Sequence, residues 1–212
     1  MPAPEKVICV GLNYHDHALE QGADLPAEPL LFGKFASALI GPGDAIVLPP
    51  ESSHVDAEAE LVVVIGTDGR RVSESEALGL VAGYTVANDV TARDLQSKDG
   101  QWLRAKGFDT FCPLLPGVVP VPELGDGSDL RIVQRLNGDV LQDSSTSELI
   151  FGVPRLVAHA SNVFTLRTGD LILTGTPAGV GIHREPPVAL ADGDVVEIEI
   201  EGIGVLQNPV RS

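Results

Sequence analysis

Residues 55–66, Val-Asp-Ala-Glu-Ala-Glu-Leu-Val-Val-Val-Ile-Gly, fuse two carboxylates to a β-branched apolar run, and a chain carrying such a stretch has few ways to fold. Side chains alternate across a strand, so Glu58 and Glu60 share one face, while Val62, Val63, Val64 and Ile65 require burial. Two acids pressed together beside a core repel unless one is protonated or a cation sits between them. A cation is the simpler solution. The third ligand is expected from Asn88-Asp89-Val90, at the end of a second apolar stretch over 81–87. An all-oxygen set of Glu58, Glu60 and Asp89 suits Mg²⁺ or Mn²⁺ rather than zinc. Glu-x-Glu on a strand is also the pattern of an ordinary solvated face, so the flanking apolar run and the remaining motifs must carry the distinction.

Charge narrows the partners. Fourteen basic against thirty acidic residues leave a formal charge of −16, which repels a phosphate backbone and an anionic membrane surface, so neither nucleic acid nor membrane is expected. An anionic substrate would then depend on local positive charge, which draws attention to Arg93 and Lys106. With 43% hydrophobic residues over 212 positions, one domain over 1–212 is expected. Cys9 and Cys112 sit among apolar neighbours and read as small core residues rather than a disulfide framework. No run approaches the ~18 apolar residues of a membrane helix, and Met1 to Lys6 lacks the pattern of a leader, so a cytoplasmic protein is expected.

Along the chain, His17 and Glu20 are three apart and therefore neighbours on one helical turn. Gly11 and Gly22 flank them and Pro26 and Pro29 follow, which marks residues 12–26 as a candidate lid. His15-Asp16-His17 is also an H-x-H pair of the kind zinc uses, with His54 as the one tempting addition. No cluster of His or Cys at ligand spacing supports it. Ser73 and Glu76 stand at capping-box spacing for a helix over 73–80, after a turn at 67–70 expected to close a hairpin. The segment 91–108 is polar and reads as helical or irregular, with Arg93 and Gln96 able to share a face. Asn137-Gly138 predicts a type I′ hairpin, and Pro154 opens a helix to about 161. An apolar strand over 171–174 ends in Gly-Thr-Pro-Ala-Gly-Val-Gly, whose glycines allow backbone to approach a small ligand, although no Gly-Lys-Ser/Thr makes it a P-loop. Residues 195–200 alternate and are expected to be the last strand. Many short strands with few helices predict a mainly β, α+β fold.

The order Glu-x-Glu-Leu, Asn-Asp-Val-Thr-Ala-Arg-Asp, Lys-Gly-Phe-Asp-Thr-Phe-Cys-Pro and Leu-Thr-Gly-Thr-Pro-Ala-Gly-Val-Gly resembles the fumarylacetoacetate hydrolase family from about residue 7 to 210. The resemblance implies that family's mixed β-sandwich roll with a few short helices, usually a homodimer. It also implies a divalent cation on Glu58, Glu60 and Asp89 that chelates a small 2-oxo acid substrate. His17 and Glu20 match the family's lid dyad, which supplies a general base, and Lys106 matches its active-site lysine. Gln96 and Arg93 fall in the Thr-Ala-Arg-Asp-x-x-Gln motif, and Thr176 matches a substrate-contacting threonine. Lys106-Gly107-Phe108 stands where many relatives have Lys-Ser-Phe, and Ala57 where an aromatic is common. The implied activity is metal-dependent hydrolysis of a carbon–carbon bond in acylpyruvate or fumarylpyruvate-type diketo acids, releasing pyruvate and a carboxylic acid. The alternatives inside the family are isomerisation of 2-hydroxyhepta-2,4-diene-1,7-dioate and decarboxylation of oxaloacetate. A non-catalytic binding module would need no His17–Glu20 pair, and a serine hydrolase would need a Gly-x-Ser-x-Gly elbow that the chain lacks.

Overall fold

The structure, a computed structural model, describes residues 4–212. Its organising element is the strand Ala59–Ile65, buried along its whole length. It lies inside a six-stranded sheet whose spatial order is Val119–Pro120, Val81–Asn88, Ala59–Ile65, Leu171–Leu173, Val7–Gly11 and Leu30–Lys34. All neighbours in it are antiparallel except Val7–Gly11 and Leu171–Leu173, which run parallel. A five-stranded sheet follows the order Asp139–Ser145, Arg131–Leu136, Val195–Ile200, Gly204–Arg211 and Ile46–Val47.

The unbroken apolar run now has its reason. Leu61, Val63 and Ile65 point into the main core with Ile132, Val196, Ile198 and Leu206 of the second sheet, whereas Val62 and Val64 point into a second cluster with Cys9, Ala87, Cys112, Leu171 and Leu173. A strand covered on both faces cannot alternate polar with apolar. Burying each of these Val and Ile side chains contributes roughly 1.5–3 kcal/mol, enough to fix the register that places the acids at the strand's beginning.

Local signals behave as the residues dictate. Ser73 and Glu76 form the capping box of the helix Glu74–Ala77, which continues as a 3₁₀ turn over Leu78–Leu80. Asn137 and Gly138 both take positive φ, 53° and 91°, in the hairpin between Arg131–Leu136 and Asp139–Ser145. The helix opened by Pro154 spans Val153–Val163.

Two expectations are corrected. The turn at 67–70 closes no tight hairpin; Gly69 pairs instead with Leu166, and the chain returns to Val81–Asn88 only after the capped helix. Residues 195–200 are not the last strand, because Gly204–Arg211 pairs with them along their length. Asn208 and Pro209 hide that strand's alternation, yet Asn208 is buried and donates to the Gly41 and Asp44 carbonyls. Among the described residues no helix is long and apolar enough to cross a membrane. The leader expectation concerns in part Met1 to Ala3, which lie outside the described residues.

Candidate active site

Strand register assembles the acids. Glu60 sits opposite Ala87 and Ala59 opposite Asn88, so Asp89, one residue past the end of its strand, arrives beside Glu58. The Asp89 amide donates to the Glu58 carbonyl at 2.9 Å, and the Glu58 amide donates to Asn88 Oδ1 at 3.1 Å. Glu58, Glu60 and Asp89 are buried, and one carboxylate oxygen from each lies within 4.8 Å of the others.

Such crowding needs compensation, and three buried cations supply it. Lys106 Nζ donates to Glu58 Oε2 at 2.8 Å, Asp89 Oδ2 at 2.7 Å and the Thr91 hydroxyl at 2.8 Å. Arg93 donates to Glu58 Oε1 at 2.5 Å, to Asp56 Oδ1 at 2.6 Å and to Gln96 Oε1 at 3.1 Å. Lys34 was not among the expected site residues, and only its place at the end of the strand Leu30–Lys34 could have flagged it. Its Nζ lies 2.7 Å from Asp89 Oδ1. The Lys34 ammonium donates to the carbonyls of Val90, Lys106 and Phe111, so Asp89 Oδ1 receives its charge but accepts no hydrogen bond.

These contacts split the acids electrostatically. Burial pushes the Glu58 carboxyl up, but the Lys106 and Arg93 charges outweigh it and hold Glu58 well below the ordinary range. Glu60 is hydrogen-bonded to none of the three cations; burial, then the Asp89 and Glu58 charges, push it well above its ordinary value, outweighing the Lys106 charge and the Gly175 amide that donates to it at 2.7 Å. Burial alone would lower Lys106, yet Asp89 and Glu58 keep it protonated. Three oxygen donors, one of them a buried oxygen that accepts no hydrogen bond and one an acid with no ion-pair partner of its own, fit a divalent cation. The residues that would hold it are Glu58, Glu60 and Asp89. This is also the group of His, Cys, Asp and Glu that could hold a metal among the described residues, so the H-x-H pair finds no support.

Above the acids lies a cleft of ≈330 Å³, and it brings together most of the expected site residues: His17, Glu58, Glu60, Arg93, Gln96, Lys106 and Thr176 all line it. His17 and Glu20 belong to the helix His15–Gln21, which ends at Gly22 in a left-handed conformation. His17 Nδ1 lies 2.7 Å from Glu20 Oε2 and Nε2 lies 2.6 Å from the Gln21 amide nitrogen. A carboxylate accepts and an amide NH₂ donates, so the pattern assigns the ring proton to Nδ1 and leaves Nε2 as the basic atom. Burial pushes Glu20 up, but the bonds from His17 and from the Gly179 amide, the latter 2.8 Å, outweigh it and hold its carboxyl below the ordinary value. Asp16 fastens the helix further by accepting from the Ser144 hydroxyl at 2.6 Å.

The glycine-rich stretch serves this assembly in a way the sequence did not suggest. A Cβ on Gly175, whose φ is +99°, would fall 2.9 Å from the Asn13 Cβ, and one on Gly179 would fall 2.2 Å from the Leu141 carbonyl. Their amides thereby reach Glu60 and Glu20, so the close approach is to two carboxylates of the site. Thr176 is set by Gln142, whose amide donates to the threonine hydroxyl at 2.8 Å while its carbonyl accepts from the Ala59 amide at 2.9 Å. Sequence reasoning also passed over Asp56, although it precedes Glu58 and Glu60 at the same two-residue spacing, and His183, which shares the cleft.

Residues 6–211 match the family model described as fumarylacetoacetate (FAA) hydrolase C-terminal. The chain belongs to the fumarylacetoacetate hydrolase family. It is 52% identical over 209 residues, 98% of its length, to the oxaloacetate tautomerase fahd2, mitochondrial, of Xenopus laevis, and spans 66% of that relative. Among solved structures it resembles 5-carboxymethyl-2-hydroxymuconate delta-isomerase from Mycobacterium smegmatis, with a TM-score of 0.88 at 48% identity, covering 99% of this chain and 79% of that one. It also resembles fumarylpyruvate hydrolase from Pseudomonas aeruginosa, solved in complex with Mn²⁺ and pyruvate, with a TM-score of 0.88 at 34% identity, covering 98% of this chain and 90% of that one. The mixed-sheet architecture is thus the family's, and its members include tautomerases, isomerases and hydrolases.

Proposed function

We propose that this chain interconverts the keto and enol forms of a short 2-oxo acid, with oxaloacetate as substrate, at a divalent-cation site. His17 carries the reading: its Nδ1 proton is committed to Glu20, so Nε2, which accepts from the exposed Gln21 amide, becomes the basic atom once a ligand in the same small cleft displaces that amide. Tautomerisation moves one proton between C3 and the C2 oxygen. With the keto acid bound, Nε2 of His17 takes a C3 proton, the C–H pair becomes the C2=C3 bond, and the carbonyl pair moves to oxygen, which takes a proton from solvent; Nε2 then gives its proton back to solvent, so that one proton in all has moved from C3 to oxygen. The reverse direction returns a proton to C3. Glu20 stabilises the imidazolium that forms in between. A cation held by Glu58, Glu60 and Asp89 would supply positive charge at the C2 oxygen, where negative charge develops. Lys106 and Arg93 keep Glu58 ionised for that task, and Thr176 retains its own hydroxyl proton for a ligand because it accepts from Gln142.

The names of the half-identical relatives favour tautomerisation over cleavage. Hydrolysis of an acylpyruvate is the second reading, supported by the likeness to fumarylpyruvate hydrolase and by a His–Glu pair able to activate water. The two separate in one assay. Enol-oxaloacetate, followed by its ultraviolet absorbance, should ketonise faster with protein plus Mg²⁺ or Mn²⁺ and return to the background rate with a chelator, while an acylpyruvate yields little pyruvate. Rapid pyruvate release with no acceleration of ketonisation would replace the first reading with the second.

A further inference from the structure

The cations lining the cleft floor are committed. Lys106 is spent on Glu58, Asp89 and Thr91, and Arg93 on Asp56, Glu58 and Gln96. Lys34 beneath them is spent on three carbonyls. A second carboxylate on the substrate therefore meets no free ammonium or guanidinium there. At the exposed rim of the same cleft stands His183, its ring edge-on to that of His17 with centroids 5.8 Å apart. Among the described residues neither of its ring nitrogens is hydrogen-bonded to protein, whereas His17 has both engaged.

His183 is also held at a set distance from the acids. It ends the turn Gly181–His183, and the Ile182 amide donates to Asp56 Oδ2 at 2.8 Å. The other oxygen of Asp56 accepts from Arg93, and Arg93 grips Glu58. A Cβ on Gly181 would fall 2.1 Å from the Val188 carbonyl and 2.9 Å from the Asp56 Cβ, so the turn is pressed against this chain of contacts. We propose that His183 binds the end of the substrate remote from its 2-oxo acid head, and so selects a dicarboxylic over a monocarboxylic 2-oxo acid. A neutral imidazole already offers one N–H to a carboxylate; burial, with the His17 and Arg93 charges, lowers the His183 ring against the pull of Glu20 and Asp56, and an incoming anion acts in the opposite sense.

The inference rests on the 2-oxo acid reading, and it is tested by binding rather than turnover. Trp102, the single tryptophan, lines the cleft and reports occupancy by fluorescence. The Mg²⁺-loaded protein is titrated by stopped flow with oxaloacetate and with pyruvate, which share the head and differ by one carboxylate. His183→Phe should weaken oxaloacetate on the order of 10- to 100-fold, the usual worth of a hydrogen bond to a charged group, and leave pyruvate within about twofold. His183→Gln, which keeps an N–H donor, should fall between. Equal losses for both acids, an unchanged oxaloacetate affinity, or a wild-type protein that binds the two alike would each overturn it. Wild-type protein that binds oxaloacetate preferentially but never tautomerises it would defeat the proposed reaction while the ratio of affinities still decides the role of His183.

Discussion

The floor and the rim of the cleft are built by opposite means. On the floor, Glu58, Asp89, Lys106 and Arg93 each have two charged partners and all are buried; the register of two paired strands sets Glu58 beside Asp89, and the helices Leu103–Lys106 and Arg93–Asp99 bring the two cations to them. At the rim, Gln21 and His183 are exposed and belong to a seven-residue helix and a single 3₁₀ turn. Over-determination on the floor makes the head-group chemistry insensitive to what surrounds it, and the sparse contacts of the rim leave atoms free for a ligand. The relatives of this chain carry names of tautomerases, isomerases and hydrolases.

That contrast is breakable. The largest effects belong to the floor, and there Glu58 and Glu60 should differ from each other. Glu58→Gln strips a counter-charge from two buried cations, so turnover and divalent binding should vanish and stability should drop by about 3–5 kcal/mol in urea denaturation. Glu60→Gln mimics a carboxyl that the fold already pushes toward its neutral form, so calorimetry should show cation binding lost while the urea midpoint of the metal-free protein barely moves. Equal destabilisation by both substitutions would mean that the two acids are not electrostatically distinct.

At the junction between floor and rim, His17→Ala should slow ketonisation by on the order of 10²–10⁴ and leave the calorimetric Mg²⁺ affinity unchanged. Loss of metal affinity in that variant would place His17 on the floor instead. The smallest effect is with pH. Because the Glu60 carboxyl is raised in the metal-free fold, it must lose its proton before a cation can bind, so Mg²⁺ affinity should rise with pH by at most tenfold per unit until Glu60 is ionised. The same shift has a sign for stability. A raised carboxyl stabilises the fold below its unfolded value near 4.5, and that contribution is lost as pH climbs through the folded one. Protein held in a chelator should therefore lose stability over that window, and added Mg²⁺ should restore it.

Much of the floor was legible because a strand writes itself in period two. Glu58, Glu60 and the run after them announce both a face and a burial, and Asp89 follows from the end of a second such run. Helix spacing likewise disclosed His17 and Glu20. Lys34 was not legible: it looks like any lysine at a strand end, and only the folded chain shows its ammonium surrounded by three carbonyls and Asp89. The links from Glu58 to Arg93, from Arg93 to Asp56 and from Asp56 to Ile182 join positions 35, 37 and 126 residues apart, which no local pattern encodes. The missed strand Gly204–Arg211 shows a further limit, since Pro209 pairs within a sheet that propensity alone would deny it.

The parallel pairing of Val7–Gly11 with Leu171–Leu173 has a kinetic consequence. The segment bearing His17 and Glu20 precedes the strand that seats it by some 160 residues, and the amide that holds Glu20 comes from Gly179. Closing so long a loop is entropically uphill until the far contacts repay it, and sheets dominated by distant pairings fold slowly. During synthesis the antiparallel pair Ala59–Ile65 and Val81–Asn88 can therefore form well before the strand Leu171–Leu173 arrives, leaving an acid-bearing β-edge uncovered in the interval. The charges that would hold a cation in the finished fold then serve as a guard, since a strand edge flanked by carboxylates is a poor template for pairing with another nascent chain.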